Sequence, residues 1–309
     1  MKSEKGIALL MTLWVLVLLL VIGLNLLLST RHGSKSTRNF KEETLSYYSA
    51  ISAYEEALGS LLLDKDPAVD FIDENGTFWT DKERAISGKK TYGNVLVEIK
   101  VSDEEARFNI NTMNEDMLRK LFAYSRIPEE EIQGLIDSLS DWKDPDDLHH
   151  LSGAEGDYYK TLKTPYVAKN SFLDTPDEIL LIKGFKPEYL YGSEETSALY
   201  PLITTHSMAV NINTASKETL GLTGLSDTDI ENIMKLRTKD VGGLRVIPAV
   251  TPGIGLTTAS SNFRLEITAS IPGSSQTVKL TAIVKRSVGT KGPEMKTIYW
   301  KEGIESSRT

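Results

Sequence analysis

From Ile7 to Leu28 the chain reads IALLMTLWVLVLLLVIGLNLLL, twenty-two residues without a charge. As a helix this run is about 33 Å long, enough to cross a bilayer core of about 30 Å. A secretory signal peptide fits it less well. Its apolar region is normally about 7–15 residues and ends at a small-residue cleavage site, whereas here Leu-Leu-Leu-Ser-Thr-Arg closes a longer run. The helical pattern then continues in amphipathic form. Phe40, Leu45, Tyr47, Tyr48, Ile51, Tyr54, Leu58, Leu61 and Leu62 recur at three- and four-residue steps, one apolar face suited to packing on a sheet. Asp66-Pro67 ends it.

The pattern changes period after that. Asn94 to Val101 alternates, with Val95, Val97, Ile99 and Val101 on one face, which predicts a strand; Lys89 to Gly93 reads as a turn leading into it. Phe263–Ala269, Thr277–Lys285 and Lys296–Lys301 alternate in the same way, separated by turns at Pro272-Gly273-Ser274-Ser275 and around 289–293. They predict an antiparallel meander whose natural cover is the amphipathic half of the first helix.

Between these β regions lies a helical block, roughly residues 105–239, containing an internal repeat. Asn109-Ile110-Asn111-Thr112 aligns with Asn211-Ile212-Asn213-Thr214. In each copy Thr112 or Thr214 is in place to cap a helix, with Asp116 or Glu218 four residues on. A second helix follows in each. Ile127, Ile132, Leu135 and Ile136 of copy one correspond to Leu225, Ile230, Ile233 and Met234 of copy two.

Charge narrows the function classes. The formal net charge is −8, and the stretch from Pro128 to Asp157 holds ten acidic residues and a single Lys or Arg, Lys143. The rest of the chain is close to neutral, which argues against general nucleic-acid binding. There is no cysteine, hence neither disulfide nor thiolate chemistry. No G-x-S-x-G, H-E-x-x-H or P-loop occurs, and Gly253-Ile254-Gly255 follows a loop rather than a strand, so an enzyme is not expected.

The start, MKSEKG-IALLM, resembles the leader of type IV pilins and of the pseudopilins of type II secretion. That resemblance implies cleavage by a prepilin peptidase between Gly6 and Ile7 and N-methylation of Ile7. It also implies a single-pass anchor in a bacterial inner membrane with the body in the periplasm. Flank charge alone points the other way, since Arg31, Lys35, Arg38 and Lys41 outnumber Lys2 and Lys5. Most pilin-like subunits carry Glu at the fifth mature position, where this chain has Met11. A carboxylate there is costly without a partner, so its absence fits a subunit lacking one neighbour, as at a filament end.

Further features join it: the two N-I-N-T segments, the run Ser140-Asp141-Trp142-Lys143-Asp144 leading to Ser152-Gly153-Ala154-Glu155, Pro165-Tyr166 with Asn170, and Ser260-Ser261-Asn262-Phe263. In this order they resemble the K-type minor pseudopilins of type II secretion. The resemblance implies an α+β pseudopilin fold: a long N-terminal helix, membrane-spanning at its start, on an antiparallel sheet with a large inserted α-helical domain. The divisions expected are leader 1–6, transmembrane helix 7–28, pseudopilin helix and first strands 29–104, inserted domain 105–240 and final strands 241–309. It also implies a place at the pseudopilus tip, where such subunits help initiate assembly and support protein export. The partners implied are the I-type and J-type minor pseudopilins, the inner-membrane secretion platform and prepilin peptidase.

Members of that family can bind calcium in the region of the acidic loop. Asp141, Asp144, Asp146, Asp147, Glu155 and Asp157 offer the hard oxygen ligands that Ca²⁺ takes, and a cation would relieve their repulsion. The EF-hand pattern fails, because counting from Asp144 the sixth position is His149 rather than Gly. Zinc at His149-His150 lacks a full ligand set. The rival reading is a membrane-tethered helix-hairpin-helix DNA receptor of a DNA-uptake system. It needs hairpin N–H groups that donate to a phosphate. The first hairpin has Pro128 and three glutamates instead.

Overall fold

A computed structural model describes residues 2–81, 84–238, 240–248, 255–290 and 292–306, with only the backbone at 2–9, 32, 81, 84 and 306. Helix α1 (Lys2–Leu62) is continuous. Residues 10–28 are exposed throughout, and this is the one helix among the described residues long and apolar enough to cross a membrane. From Ser46 onward one face becomes buried, with Ala50, Ala53, Tyr54, Ala57 and Leu61 inside. Alanines at three- and four-residue steps let the helix lie close to a sheet.

A small hairpin sheet follows, made of β1 (Phe71–Ile72), β2 (Phe78–Asp81) and β3 (Arg84–Ala85). Strand β4 (Gly88–Tyr92) leads into β5 (Val95–Asp103). The sequence Lys89 to Tyr92 is therefore a strand and not the expected turn, which is tightened to the Gly93 corner, where φ is +61°. The segment looked like a turn because it is polar on both faces, as suits the outer edge of a sheet.

The chain then leaves the sheet. The helical body comprises β6 (Phe108–Asn109), α2 (Glu115–Tyr124), α3 (Glu129–Lys143), α4 (Gly156–Lys160) and α5 (Pro187–Tyr191), followed by β7 (Ile203–Thr204), β8 (Val210–Asn211), α6 (Lys217–Leu222), α7 (Asp227–Leu236) and β9 (Leu256–Thr257). It returns as β10 (Asn262–Ser270), β11 (Gln276–Gly289) and β12 (Gly292–Ser306).

The main sheet has the order β12-β11-β10-β5-β4 and is antiparallel throughout. Its inner face, with Val95, Val97, Ile99, Val101, Leu265, Ile267, Val278 and Leu280, packs on the buried face of α1. Each buried aliphatic side chain there contributes about 1.5–3 kcal/mol relative to exposure. The helical body has two cores of its own. The larger holds Leu121, Phe122, Ile132, Leu135, Leu139, Trp142 and Tyr159. The smaller holds Ile212, Leu220, Leu225, Ile230 and Ile233, with Leu244 and Leu256 against it, so chain beyond residue 240 joins this second lobe. Met234, aligned with buried Ile136, is exposed instead.

Candidate functional site

The two N-I-N segments are backbone clamps. Each opens with a two-residue parallel bridge, Phe108-Asn109 to Ile203-Thr204 and Val210-Asn211 to Leu256-Thr257. In copy one, the Asn111 amide donates to the Leu173 carbonyl (2.9 Å) and accepts from the Leu173 N–H (2.8 Å). In copy two, Asn213 does the same to Leu244, at 2.8 Å each way. A cation closes each unit. Lys143 reaches the Ile110 and Asn111 carbonyls (3.5 and 3.3 Å), and Arg237 reaches those of Ala215 (2.7 Å) and Ile212. The helix caps differ from expectation. Asn114 and Ser216, not Thr112 and Thr214, accept the third N–H of α2 and α6. The threonines are drawn elsewhere: the Thr112 N–H closes a turn on the Asn109 carbonyl, and Thr214 Oγ1 donates to Asp103 (2.5 Å).

The hairpins do not open towards a phosphate. Arg126 takes a positive φ of 58° in the first, Pro128 begins α3 without a side-chain cap, and glutamates fill the first turn. Asp227 and Asp229 fill that of α7. Anions stand where a nucleic-acid backbone would approach.

The acidic loop is held between α3 and α4. The structure gathers Asp141, Asp144, Asp146 and Glu155. Two overlapping triads, Asp144-Asp146-Glu155 and Asp141-Asp144-His150, each keep their ligand atoms within 4.8 Å of one another. Asp147 stands outside both, and exposed Asp157 turns to His149 (3.0 Å). Burial, then the charges of Asp146 and Asp141, push the Asp144 carboxyl up from its ordinary range; burial and Asp141 do the same to Glu155.

The donors around these acids fall short. Both oxygens of Glu155, Asp141 Oδ2, Asp144 Oδ1 and Asn170 Oδ1 are buried and accept no hydrogen bond. Such groups are costly to bury unpaired. An all-oxygen set of this kind fits Ca²⁺. His150 and Asn170 were not singled out by charge pattern. His150 is placed by its bond to Asp141, and Asn170 by its positive φ (48°) and a contact to the Asp146 carbonyl (3.4 Å).

A second polar cluster lies where the helical body joins the sheet. Asp70, Asp103, Glu104 and Glu105 are all buried there. Arg264 pairs with Glu104 (2.6 Å), and Arg286 with Asp70 (2.5 Å) and Asp64. Asn211 and Ser260 Oγ tie Asp103 to the second repeat and to the start of β10.

An apolar helix, exposed over its first half and laid by its second half on an antiparallel sheet, with a helical body spliced between two neighbouring strands, is a pseudopilin-type fold. The family model described as "Type II secretion system (T2SS), protein K" matches residues 98–201. A type II secretion system protein K of Pseudomonas aeruginosa is 24% identical over 256 residues, covering 77% of this chain and 74% of its own. One from Aeromonas hydrophila is 26% identical over 247 residues, covering 72% and 70%. A crystal structure of the GspK-GspI-GspJ complex from the type 2 secretion system of enterotoxigenic Escherichia coli superimposes with a TM-score of 0.66 at 18% identity, over 86% of this chain and 99% of that one. Residues 98–201 thus match the type II secretion system protein K family, and over about three quarters of its length the chain is similar to curated proteins of that name.

Proposed function

We propose that this subunit caps the tip of the pseudopilus, in complex with I-type and J-type minor pseudopilins, and helps to initiate assembly for protein export. The observation that carries the reading is the helical body itself. It occupies about half the chain on one side of a pseudopilin frame, where it would obstruct subunits stacked beyond it. An interface that cannot repeat makes a cap rather than an open-ended contact. Met11, which has no charge to offer a further neighbour, supports the same position. The solved complex named above contains GspK, GspI and GspJ, which makes those two classes the partners to test.

In this reading prepilin peptidase cuts between Gly6 and Ile7, Ile7 is methylated, and the body lies in the periplasm with the anchor in the inner membrane beside the secretion platform. Divisions at 6/7, 28/29 and 104/105 separate leader, anchor, frame and inserted domain, whose end moves from the expected 240/241 to the start of β10, because Leu244 and Leu256 pack on its second lobe. Asp141, Asp144, Asp146 and Glu155 hold Ca²⁺, with Asp147 and Asp157 as outer acids of the same loop. The ion would supply the positive charge that those buried oxygens lack.

One experiment addresses anchor and partners together. The full chain is co-expressed with a prepilin peptidase and I-type and J-type minor pseudopilins, then compared with Gly6→Leu. The wild type is expected to lose its first six residues by mass and to co-purify with both partners, whereas Gly6→Leu keeps its leader. Identical masses for the two proteins, or purification of the mature chain without either partner, would sink the proposal.

A further inference from the structure

The helical body leaves the sheet at Asp103, Glu104 and Glu105 and returns to it at Ser260, Ser261 and Asn262. Both crossing points are closed by two acids that, among the described residues, have no cation of their own. The Glu105 carboxyl accepts from the Asn262 N–H (3.0 Å) and side-chain amide (2.8 Å). Asp103 accepts from the Glu105 N–H (2.8 Å), Asn211 (3.2 Å), Thr214 (2.5 Å) and Ser260. The two carboxyl groups, two residues apart and both buried, stand close enough to act on each other's charge.

Among the described residues, the charged groups packed around the pair are already engaged or are themselves acids. From β11, Arg286 serves Asp64 beyond α1 and Asp70 before β1. From β10, Arg264 serves Glu104, as does Arg107 (3.5 Å). His206 of the helical body faces Glu104, Arg264 and Asp174. The groups that the helical body offers the pair directly, Asn211 and Thr214, are neutral. Two buried carboxylates in contact cannot both be ionised at modest cost. With its four donors Asp103 is the better anion, so Glu105 is the member that carries the hydrogen.

We infer that Asp103 and Glu105 share one proton, and that this proton is a latch holding the helical body on the sheet, released as the surroundings turn alkaline. The latch joins exit and return strands to the second N-I-N clamp through one carboxyl pair, so losing the proton loads repulsion onto a junction where sheet and body are tied. Burial, and then the Asp103 charge, push Glu105 up to about 9. A carboxyl raised in this way stabilises the fold fully below the ordinary carboxylate range and loses that contribution as pH rises towards its folded value. Asp70, raised to about 8 by burial, acts in the same direction.

The test uses the full chain in detergent micelles and follows hydrogen exchange at the Asn213 and Ala215 amides, corrected for intrinsic rate. Opening should grow with pH more steeply in the wild type than in Glu105→Gln, by about tenfold per pH unit between about pH 6.5 and 8.5, the linkage of one proton. The Gln amide can donate to Asp103 while its oxygen keeps one of the two Asn262 bonds, and it cannot ionise. Equal slopes would overturn the inference. Should Glu105→Gln not fold, infrared spectroscopy of the wild type replaces it. A protonated carboxylic C=O stretch must be present at neutral pH and disappear in alkali together with the protection of those amides, and its absence at neutral pH would also overturn the inference.

Discussion

Gly153 shows how closely the acidic loop is fitted. A Cβ built there would stand 1.9 Å from Asp141 Oδ2 and 3.2 Å from the Asp137 carbonyl. The backbone is at an ordinary angle, so the glycine is needed for space and not for conformation. Gly153→Ala therefore pushes the Asp141 carboxylate away from Asp144. We expect the variant to fold, to lose about 1–3 kcal/mol through overpacking, and to bind Ca²⁺ at least tenfold more weakly by isothermal titration. Unchanged affinity would show that Asp141 is not a ligand. The acidic residues at this site were legible from charge alone. The division of labour among them was not, because Asp147 and Asp157 differ from their neighbours only in direction, which the fold sets.

On the scale of elements, the repeat was legible as a motif but misread as chemistry. Asn-Ile-Asn-Thr suggested extended chain followed by a Thr cap. In the fold the second Asn is the working residue, and the cap lies two positions later. What sequence could not supply were the partners of the clamps, Leu173 and Leu244, which sit 62 and 31 residues away from the amides that hold them. Gly243 belongs to the same device: φ there is +78°, and a Cβ would lie 2.9 Å from the Asn213 amide. Asn213→Ala removes both bonds to Leu244 and a longer one to the Thr258 carbonyl, leaving the Leu244 backbone groups without their side-chain partner, so a loss of about 2–3 kcal/mol is expected. Urea unfolding of the full chain in micelles measures it. A change below about 0.5 kcal/mol would mean that water replaces the clamp.

At the scale of the whole molecule, the long helix, the late strands and the helical block between them were all readable from changes of period, since each buries a face with its own spacing. The edge strand β4 was missed because neither of its faces is apolar. The second lobe's hold on chain beyond residue 240 was missed because it rests on backbone pairing by β9 rather than on a hydrophobic run. Heat should treat the molecule as metal-dependent. Saturating Ca²⁺ at about a hundred times its dissociation constant adds about 2.7 kcal/mol, which raises the melting temperature of a body of this size by about 5–10 °C over the chelated form. Identical melting curves with Ca²⁺ and with chelator would remove calcium from the account.

The splice between β5 and β10 also bears on the order of folding. Asp103 stands opposite Phe263 in the sheet, so neighbouring strands are 160 residues apart along the chain. The sheet is therefore completed by the segment synthesised last, and until β10 arrives β5 has an open edge beside a helix whose apolar face is uncovered. Closing so long a loop costs little more than closing one half its length, about 0.6 kcal/mol per doubling. The delay is thus kinetic rather than energetic, as expected where distant pairings dominate. A helical body that folds on its own cores would bring the two strand ends together in advance, making the inserted domain a folding aid for the frame that carries it.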